Sequence, residues 1–183
     1  MIWEAFERGA LEAAPLLLGC TLRHGKTAGI IIETEAYTED EAASHTFKGP
    51  NLRNRSMYKQ AGHAYVYLSY GIHSCINVVC GPEGRGEGVL IRSLQPIEGI
   101  ELMRERRGTT DTLLTNGPGK LTQALGIGLK LDGHDLRLEP LTLTEGAPLP
   151  YLVTPRVGIS KATELHWRFV ASETIENPEK VKQ

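Results

Sequence analysis

The sequence predicts an α+β fold, in which one compact domain carries a curved, mostly antiparallel sheet flanked by short helices. Two observations support this class. The chain has 183 residues, of which 40% are hydrophobic and 23% charged, and it shows no internal repeat or interdomain linker. After one short helical segment, strand-like segments are followed by helical segments and then by strands again, without the regular βαβ alternation of a parallel sheet.

The elements follow in order from their periodicity. Residues 10–18 have helical spacing, with Pro15 near the first turn or at a kink. Strands are predicted where β-branched and aromatic residues concentrate, at 28–36, 63–69, 74–79 and 89–94, and Gly71 indicates a protruding hairpin between the second and third. Later helices are predicted at 97–107 and 121–125, and later strands at 136–143, 156–159 and 167–170. Within the single domain 1–183, we expect a flexible tail from about residue 174.

Composition excludes several classes of protein. The three cysteines are an odd number without a CxxC pair, which argues against a disulfide framework or a structural metal. The first ten residues lack an apolar signal-peptide core, and no apolar run is long enough to cross a bilayer. We therefore expect a cytoplasmic protein that needs no membrane, no metal and no cofactor.

The strand at 28–36 turns abruptly acidic at its end. Glu33, Glu35 and Tyr37 alternate at period two, so they share one strand face, which we do not expect to be core. Two carboxylates this close repel each other in a partly dry site, so we expect one paired structural member and one reactive member. The alternative is an exposed edge with two solvated glutamates. An acidic turn then leads to His45, whose position alone does not establish a role.

Tyrosines cluster around the predicted hairpin. Tyr65 and Tyr67 share one strand face, whereas Tyr70 stands at the turn beside Gly71, where a bulky ring would protrude. A protruding ring can wedge into a base stack, because its insertion offsets part of the cost of unstacking. Tyrosines that merely pack on a sheet are the alternative. Asn77, on the return strand, needs hydrogen-bond partners if it is buried, either in the protein or on a base edge.

Basic residues are concentrated locally, although the formal net charge is only −2. The segment 48–59 includes Arg53 and Arg55 and has no acidic residue. Its composition predicts an exposed loop. This loop either is simply solvated or binds nucleic acid. A glycine-rich turn at 116–120 precedes a helix, so Gly119 and Lys120 could seat a phosphate through backbone N–H groups and a positive charge. The Walker pattern is absent from this turn, which disfavours a nucleotide triphosphatase.

In their order along the chain and in their residues, these segments closely resemble the alkyladenine (3-methyladenine) DNA glycosylase family over nearly the whole chain. The strongest pieces are Glu33–Tyr37, Asp40–His45, Arg53–Met57, Tyr65–Gly71, Asn77, Gly88–Arg92, Gly117–Leu121 and Arg156–Gly158. The resemblance implies a monofunctional base-excision-repair enzyme without lyase activity. Such an enzyme flips alkylated or deaminated purines, of the 3-methyladenine, hypoxanthine and ethenoadenine class, out of damaged duplex DNA. It then hydrolyses the N-glycosidic bond and leaves an abasic site.

The same resemblance assigns the catalytic roles. Glu35 would be the general base that deprotonates the attacking water, and Arg92 and the backbone carbonyl of Val157 would also hold that water. Glu33 would then be structural. The enzyme would work on DNA as a monomer without an obligate protein partner, associated with the bacterial-type nucleoid when bound.

The remaining roles concern the base and the duplex. Tyr37, His45 and Tyr67 would line the base pocket, with the tyrosines stacked on the flipped base and His45 bonded to it or to the adjacent backbone. Asn77 would crowd the exocyclic amino group of guanine and so exclude the normal base. Tyr70 would intercalate into the gap left in the duplex, which makes the predicted hairpin a DNA-intercalating one.

Three features depart from the better-known eukaryotic members. The chain has no long basic N-terminal extension, so we expect weaker and more salt-sensitive nonspecific DNA binding. Asn51 and Leu52 replace an expected Thr-Pro before Arg53, which leaves the conformation of that loop open. The spacing from Tyr37 to His45 is one residue shorter, so Ser44 is an alternative for the pocket position of His45. His73 at the hairpin tip is a further difference and a candidate phosphate or groove contact.

Two other functions compete with this interpretation. One is a noncatalytic module that senses distorted duplexes with the same wedge and basic loop. The other is a hydrolase that uses Glu33 and Glu35 on a free glycoside, whose two carboxylates would need to stand about 5 to 9.5 Å apart across the substrate.

Overall fold

The computed structural model describes residues 2–173, so the predicted tail from about residue 174 lies outside the described residues. The helices are α1 (Ile2–Phe6), α2 (Ala10–Leu16), α3 (Ile100–Arg107) and α4 (Pro118–Leu125), with 3₁₀ turns at Arg55–Tyr58 and Leu129–Leu131. The strands are β1 (Thr21–His24), β2 (Thr27–Tyr37), β3 (Ala64–Ser69), β4 (His73–Cys80), β5 (Glu87–Glu98), β6 (Leu141–Thr144), β7 (Tyr151–Thr154) and β8 (Arg168–Ala171).

Within residues 2–173, eight antiparallel strands form one curled sheet with the order β3-β4-β5-β2-β1-β6. The long strand β2 is its centre: β5 pairs along one side of it, while β1 and β8 pair with successive parts of its other side. Strand β7 pairs with β8. The acidic end of β2 therefore lies between β5 and β8, which bring side chains from distant parts of the sequence.

A bulge between β2 and β5 positions one of the predicted catalytic residues. Glu33 pairs with Ser93 and the next residue, Thr34, pairs with Ile91, which leaves Arg92 as an extra residue on β5. A bulge bends its strand, increases the local twist and re-aims the side chain of the extra residue. Here the side chain of Arg92 reaches the carboxylate-bearing face of β2.

Short helices cover the sheet and complete the core. Helix α2 lies on β2, where the Thr34 hydroxyl donates to the Ala14 carbonyl at 2.9 Å. Helix α4 lies on β4; Pro118 occupies its first turn, where the missing N–H costs nothing, and Gly126 ends it with a left-handed φ of 73°. Fully buried side chains fill the interior, and each contributes roughly 1.5–3 kcal/mol; they include Phe6, Leu17, Leu22, Ile31, Ile76, Ile91, Met103 and Leu121.

Residues 70–72 join β3 to β4, and a tight β-turn from Ser69 to Ile72 forms the tip of this hairpin. The Ile72 N–H donates to the Ser69 carbonyl at 3.1 Å, and the two central residues, Tyr70 and Gly71, have φ values of 51° and 72°. Positive φ at both positions matches the right-handed twist of the flanking strands. The turn thrusts Tyr70 outward, and 91% of that residue is exposed.

The predicted α+β class and the curved antiparallel sheet are confirmed, whereas several boundaries differ and α1, β1 and β7 were not predicted. The helix expected at 97–107 begins only at residue 100, because β5 continues to residue 98. Gly99 separates the two elements with φ of 70° and has no room for a side chain beside the Lys26 carbonyl. The strand expected at 156–159 was wrong: the strand β7 ends before Pro155, which has no N–H for a ladder.

Residues 2–173 contain neither a helix suited to cross a membrane nor a cluster of side chains suited to hold a metal ion. No helix in that part of the chain is both long and apolar enough to cross a bilayer. In the same part, no three His, Cys, Asp or Glu side chains come together as a metal ion would require.

Candidate active site

Glu35 is a carboxylate with no exposed surface, held by three hydrogen-bond donors. One carboxylate oxygen, Oε1, accepts the Val157 N–H at 2.7 Å. The other, Oε2, accepts the Tyr37 hydroxyl at 2.9 Å and the Arg92 Nη1 at 3.2 Å. A buried charge is tolerated only when it is paired and hydrogen-bonded, and these donors meet that requirement. The expectation that this strand face lies outside the core is therefore wrong for Glu35.

Arg92 contacts both glutamates of the acidic strand end. Its Nε donates to Glu33 Oε1 at 3.0 Å, and the same oxygen accepts Arg168 Nε at 2.6 Å. Burial lowers the pKa of Arg92, but the carboxylates of Glu35 and Glu33 more than offset this effect and raise it overall. Arg92 is therefore cationic, and Glu33 holds it in place while two arginines balance the charge of Glu33.

A cavity of about 590 Å³ lies beside this cluster and is large enough for a small-molecule group. Its wall contains all three donors to Glu35, so the carboxylate lies directly behind the wall. Most of the residues assigned to the site line the cavity: Tyr37, His45, Arg53, Tyr67, Tyr70, Asn77, Arg92 and Val157. The assigned residues that do not line the cavity are Glu35 and three of the predicted DNA-backbone contacts, Arg55, Gly119 and Lys120.

Aromatic rings form one side of the cavity. The rings of Tyr65 and Tyr67 stack with their centroids 5.3 Å apart, and the His45 ring meets Tyr67 edge-on at 4.5 Å. His45 Nδ1 lies 3.0 Å from the Tyr65 hydroxyl, within hydrogen-bond distance. The cavity thus offers flat π surfaces with few charges, which suits an uncharged or delocalised planar ligand.

The tyrosine rings are neutral near neutral pH, and burial makes them still harder to ionise. Burial raises the pKa of Tyr65 to about 12 and the pKa of Tyr67 well above its ordinary value. The pKa of Tyr37 rises through burial and through its contact with the Glu35 carboxylate. The pKa of His45 falls below 6.5, first because its ring is partly buried and second because Arg53 is nearby.

The structure distinguishes His45 from its neighbour Ser44. Both residues line the cavity, but Ser44 is buried and its hydroxyl lies 2.7 Å from the Thr46 hydroxyl. Thr46 Oγ1 in turn donates to the Gly86 carbonyl at 2.7 Å. The side chain of Ser44 therefore belongs to a local network, whereas the imidazole of His45 faces the aromatic wall.

Asn77 lies on β4 directly across from Tyr65 on β3. Its amide nitrogen donates to the Tyr65 carbonyl at 3.3 Å, and the residue is buried at the cavity wall. This bond fixes the amide group, so any ligand that enters must fit against it.

The basic segment around Arg53 is ordered by its own side chains, although Asn51 and Leu52 replace the expected Thr-Pro. Asn51 Oδ1 accepts the N–H groups of Arg53 and Asn54, and Asn54 Oδ1 accepts the Asn51 N–H at 2.7 Å. Arg53 then donates to the Leu68 carbonyl on β3, with its guanidinium 5.9 Å from the Tyr67 ring. Arg55, also exposed, lies on the following 3₁₀ turn.

The glycine-rich turn forms the start of α4 beside the hairpin. A side chain at Gly119 would stand 2.9 Å from His73 Cβ, so a glycine is required for this close approach. The first hydrogen bond of the helix runs from the Leu121 N–H to the Gly117 carbonyl, which leaves the first-turn N–H groups available. The exposed Lys120 donates to Asn116 Oδ1 at 3.1 Å. His73 therefore packs against α4.

Several residues of the site were missed from the sequence. Met57, Cys75, Leu90 and the residues 158–161 line the cavity, and Arg168 and Glu41 support it from behind. Some of them were noticed only as parts of motifs, namely Glu41, Met57, Leu90, Arg156 and Gly158. The sequence gives little signal for Arg168 or for the pair of Arg156 and Glu41, because their contacts join segments more than 100 residues apart.

Comparison with known proteins gives a consistent result. The family model described as Methylpurine-DNA glycosylase (MPG) matches residues 4–175. A protein of Methanoculleus marisnigri is 51% identical over 174 residues, covering 90% of this chain and 91% of its own. One of Nitrosospira multiformis is 46% identical (90% and 86% coverage), and one of Rubrobacter xylanophilus is 50% identical (84% of each). Their names all include the words 3-methyladenine DNA glycosylase.

These matches define the class of protein as a DNA glycosylase, a DNA-repair hydrolase whose substrate is DNA. The chain belongs to the methylpurine-DNA glycosylase family. The resemblance noted from the sequence motifs is thereby confirmed over most of the chain.

Proposed function

We propose that this chain, acting as a monomeric single domain, flips an alkylated or deaminated purine out of duplex DNA and hydrolyses its N-glycosidic bond. The observation that carries the proposal is the placement of Glu35 behind the cavity wall, with all three of its donors, Tyr37, Arg92 and Val157, on the cavity surface. A carboxylate positioned in this way can serve as the general base of a hydrolysis. The product is an abasic site.

The hydrolytic step uses groups at this wall. Glu35 takes a proton from water as the water oxygen bonds to the anomeric carbon, and the electron pair of the glycosidic bond leaves with the purine. The water is held at this wall by Arg92 and by the backbone carbonyl of Val157, a residue that is 48% exposed.

A carboxylate base contributes roughly 10²- to 10⁴-fold to such a reaction, so other effects must supply the rest. Stacking of the flipped purine on Tyr37 and Tyr67, with His45 bonded to the base or its backbone, holds it for attack. Alkylation that leaves positive charge on the purine makes it a better leaving group. Within the proposed substrate class, this last contribution applies to 3-methyladenine, whereas the neutral bases hypoxanthine and ethenoadenine depend on flipping, stacking and the general base. No step involves an amine nucleophile, so lyase activity is not expected.

Rejection of normal guanine is assigned to Asn77. Its amide is buried at the wall and fixed by the Tyr65 carbonyl, so it cannot move aside cheaply. The exocyclic amino group of guanine would be crowded by this fixed amide, which disfavours guanine relative to adenine-derived bases.

The duplex is held outside the cavity. Tyr70 fills the gap left by the flipped nucleotide, and Arg53, Arg55, Lys120 and the Gly119 N–H contact phosphates. The support is geometric: Tyr70 and Arg53 line the same cavity, and the start of α4 lies beside His73 near the tip of the hairpin.

Base release from lesion-bearing oligonucleotides by Tyr70→Ala and Tyr70→Phe, in duplex and in single strands, tests this proposal. The native chain should release free base and leave the strand intact. Tyr70→Ala should lose most activity on duplex but not on single strands, whereas Tyr70→Phe keeps the ring and should retain both. Unchanged duplex activity in Tyr70→Ala would contradict the flipping step, and no base release by the native chain would contradict the proposal as a whole.

A further inference from the structure

Arg156 is a buried arginine that lies next to Val157 and whose guanidinium has no assigned task. Its Nη1 donates to Glu41 Oε1 at 2.7 Å and to the Ala36 carbonyl at 3.0 Å. Its Nη2 donates to Glu41 Oε2 at 3.0 Å and to the Ala162 carbonyl at 3.3 Å. The guanidinium therefore makes a paired fork with one carboxylate and reaches two backbone carbonyls.

The same guanidinium lies against two aromatic rings. Its carbon is 4.6 Å from the ring centroid of Tyr37 and 5.3 Å from that of Trp167. A planar cation over a ring face is held by the ring quadrupole and restricts the tilt of the ring. Tyr37 is the ring that donates to Glu35 and lines the cavity.

These contacts join three chain segments around the catalytic carboxylate. Ala36 and Tyr37 end β2, Glu41 belongs to the loop that leads to His45, and Ala162 belongs to the loop that follows Val157. Glu41 Oε2 also accepts the Ala43 N–H at 2.8 Å, which fixes its own loop. One side chain thus ties together the aromatic wall and the loop that supplies an N–H to Glu35.

Stability alone does not account for a charged pair at this place. Burying two ions costs much of what their attraction returns, and well-packed apolar residues of similar size often stabilise a protein as well or better. The Arg156 Nε also has no hydrogen-bond partner among the described residues. Unlike apolar side chains, Arg156 and Glu41 can fix the orientation of the groups they contact, because their hydrogen bonds have a defined direction.

We propose that Arg156 and Glu41 form a positioning unit that sets the Tyr37 ring and the Val157 N–H relative to Glu35, and so controls the rate of hydrolysis rather than DNA binding. Neither side chain is assigned a contact with substrate. The inference rests on the proposed function, because it takes Glu35 as the base and Tyr37 as a wall of the base pocket.

Two variants test the unit. Arg156→Lys keeps a positive charge opposite Glu41 but loses the paired fork and the planar stack on Tyr37. The double variant Arg156→Met/Glu41→Leu removes both charges, so it leaves no unpaired ion in the core, and it carries the same test if the lysine variant does not fold. The control is Arg23→Met/Glu98→Leu, which removes another paired fork, between β1 and β5, away from the cavity.

For each variant, circular dichroism establishes folding, and two quantities are measured: the single-turnover rate constant of hypoxanthine release at saturating enzyme, and the Kd for a duplex that carries a stable abasic analogue. We expect the rate constant of both site variants to fall by about 100-fold, the effect typical of a small misplacement in a catalytic site. Their Kd should stay native, and the control should match the native chain in both quantities.

A folded site variant that releases base at the native rate would overturn the proposal. So would a loss of DNA binding that accounts for the whole loss of rate. Failure of the proposed function itself is distinguishable, because it would appear as no base release by the native chain under the same conditions.

Discussion

At the scale of single residues, the two glutamates of the acidic strand end differ through their partners rather than through their position. Both contact Arg92, but Glu33 also binds Arg168, whereas Glu35 binds an N–H and a tyrosine hydroxyl. Alternation along the strand was enough to predict that the two share a face, whereas their division into a paired and a reactive member stays a prediction, because both carboxylates are paired with Arg92. Alternation could not reveal Arg168, which is 135 residues away.

His45 provides a prediction about pH. Because burial and the charge of Arg53 lower its pKa below 6.5, the imidazole should titrate below that value in the folded protein. The unfolded chain then takes up the proton first, so His45 makes the protein less stable as pH falls from 6.5 through the lowered pKa, and it has no such effect above 6.5. An NMR titration of the imidazole Cε1–H measures this, with His45→Asn to assign the signal.

Arg53→Ala supplies the matched comparison for that titration. It should raise the midpoint of His45, but not fully to 6.5, because burial is the larger cause. A native midpoint at or above 6.5, or no response to Arg53→Ala, would contradict the account of this pocket wall.

At the scale of elements, the strands with strong β-branched periodicity were predictable, and so was the hairpin with glycine at its turn. The bulge that presents Arg92 was not predictable, because it depends on the register between β2 and β5 and not on the sequence of either strand alone. The prediction of a strand at 156–159 was wrong for a similar reason. Its apolar and small residues look like a strand, but Arg156 is held in the core by Glu41 and the chain leaves the sheet after β7.

The hairpin tip combines exposure with backbone strain. Tyr70 has φ of 51°, a conformation that a bulky residue seldom adopts, and it makes the turn with Gly71 while nearly its whole surface faces solvent. Strained residues persist when the surrounding structure fixes them, and they concentrate at functional sites. This agrees with the wedge role proposed for Tyr70 and explains why a bulky residue stands where asparagine or glycine would fit better.

At the scale of the whole molecule, the near-neutral charge means that attraction to DNA must be local. With Arg53, Arg55 and Lys120 as the cationic phosphate contacts, the logarithm of the association constant should fall against the logarithm of salt concentration with a slope of about −3. Lys120→Ala should reduce the steepness by about 1, because one fewer counterion is released. Fluorescence anisotropy with a lesion-bearing duplex over a salt series measures the slope.

Lys26→Ala is the control for that series, since Lys26 is an exposed lysine in the turn before β2, remote from the cavity. It should leave the slope unchanged. Equal effects of the Lys26 and Lys120 substitutions would mean that DNA is attracted by overall charge and not by the residues around the cavity.

The central claim is that Glu35 activates the water, and single-turnover base release by the native chain and by Glu35→Gln tests it most directly. The substrates are duplexes that carry hypoxanthine, ethenoadenine or 3-methyladenine, and lesion binding is measured in parallel. We predict free base and an uncleaved strand from the native chain only, with lesion binding retained by Glu35→Gln. Equal release by both proteins would remove Glu35 from its role, and tight lesion binding by both without release would indicate a damage-sensing module.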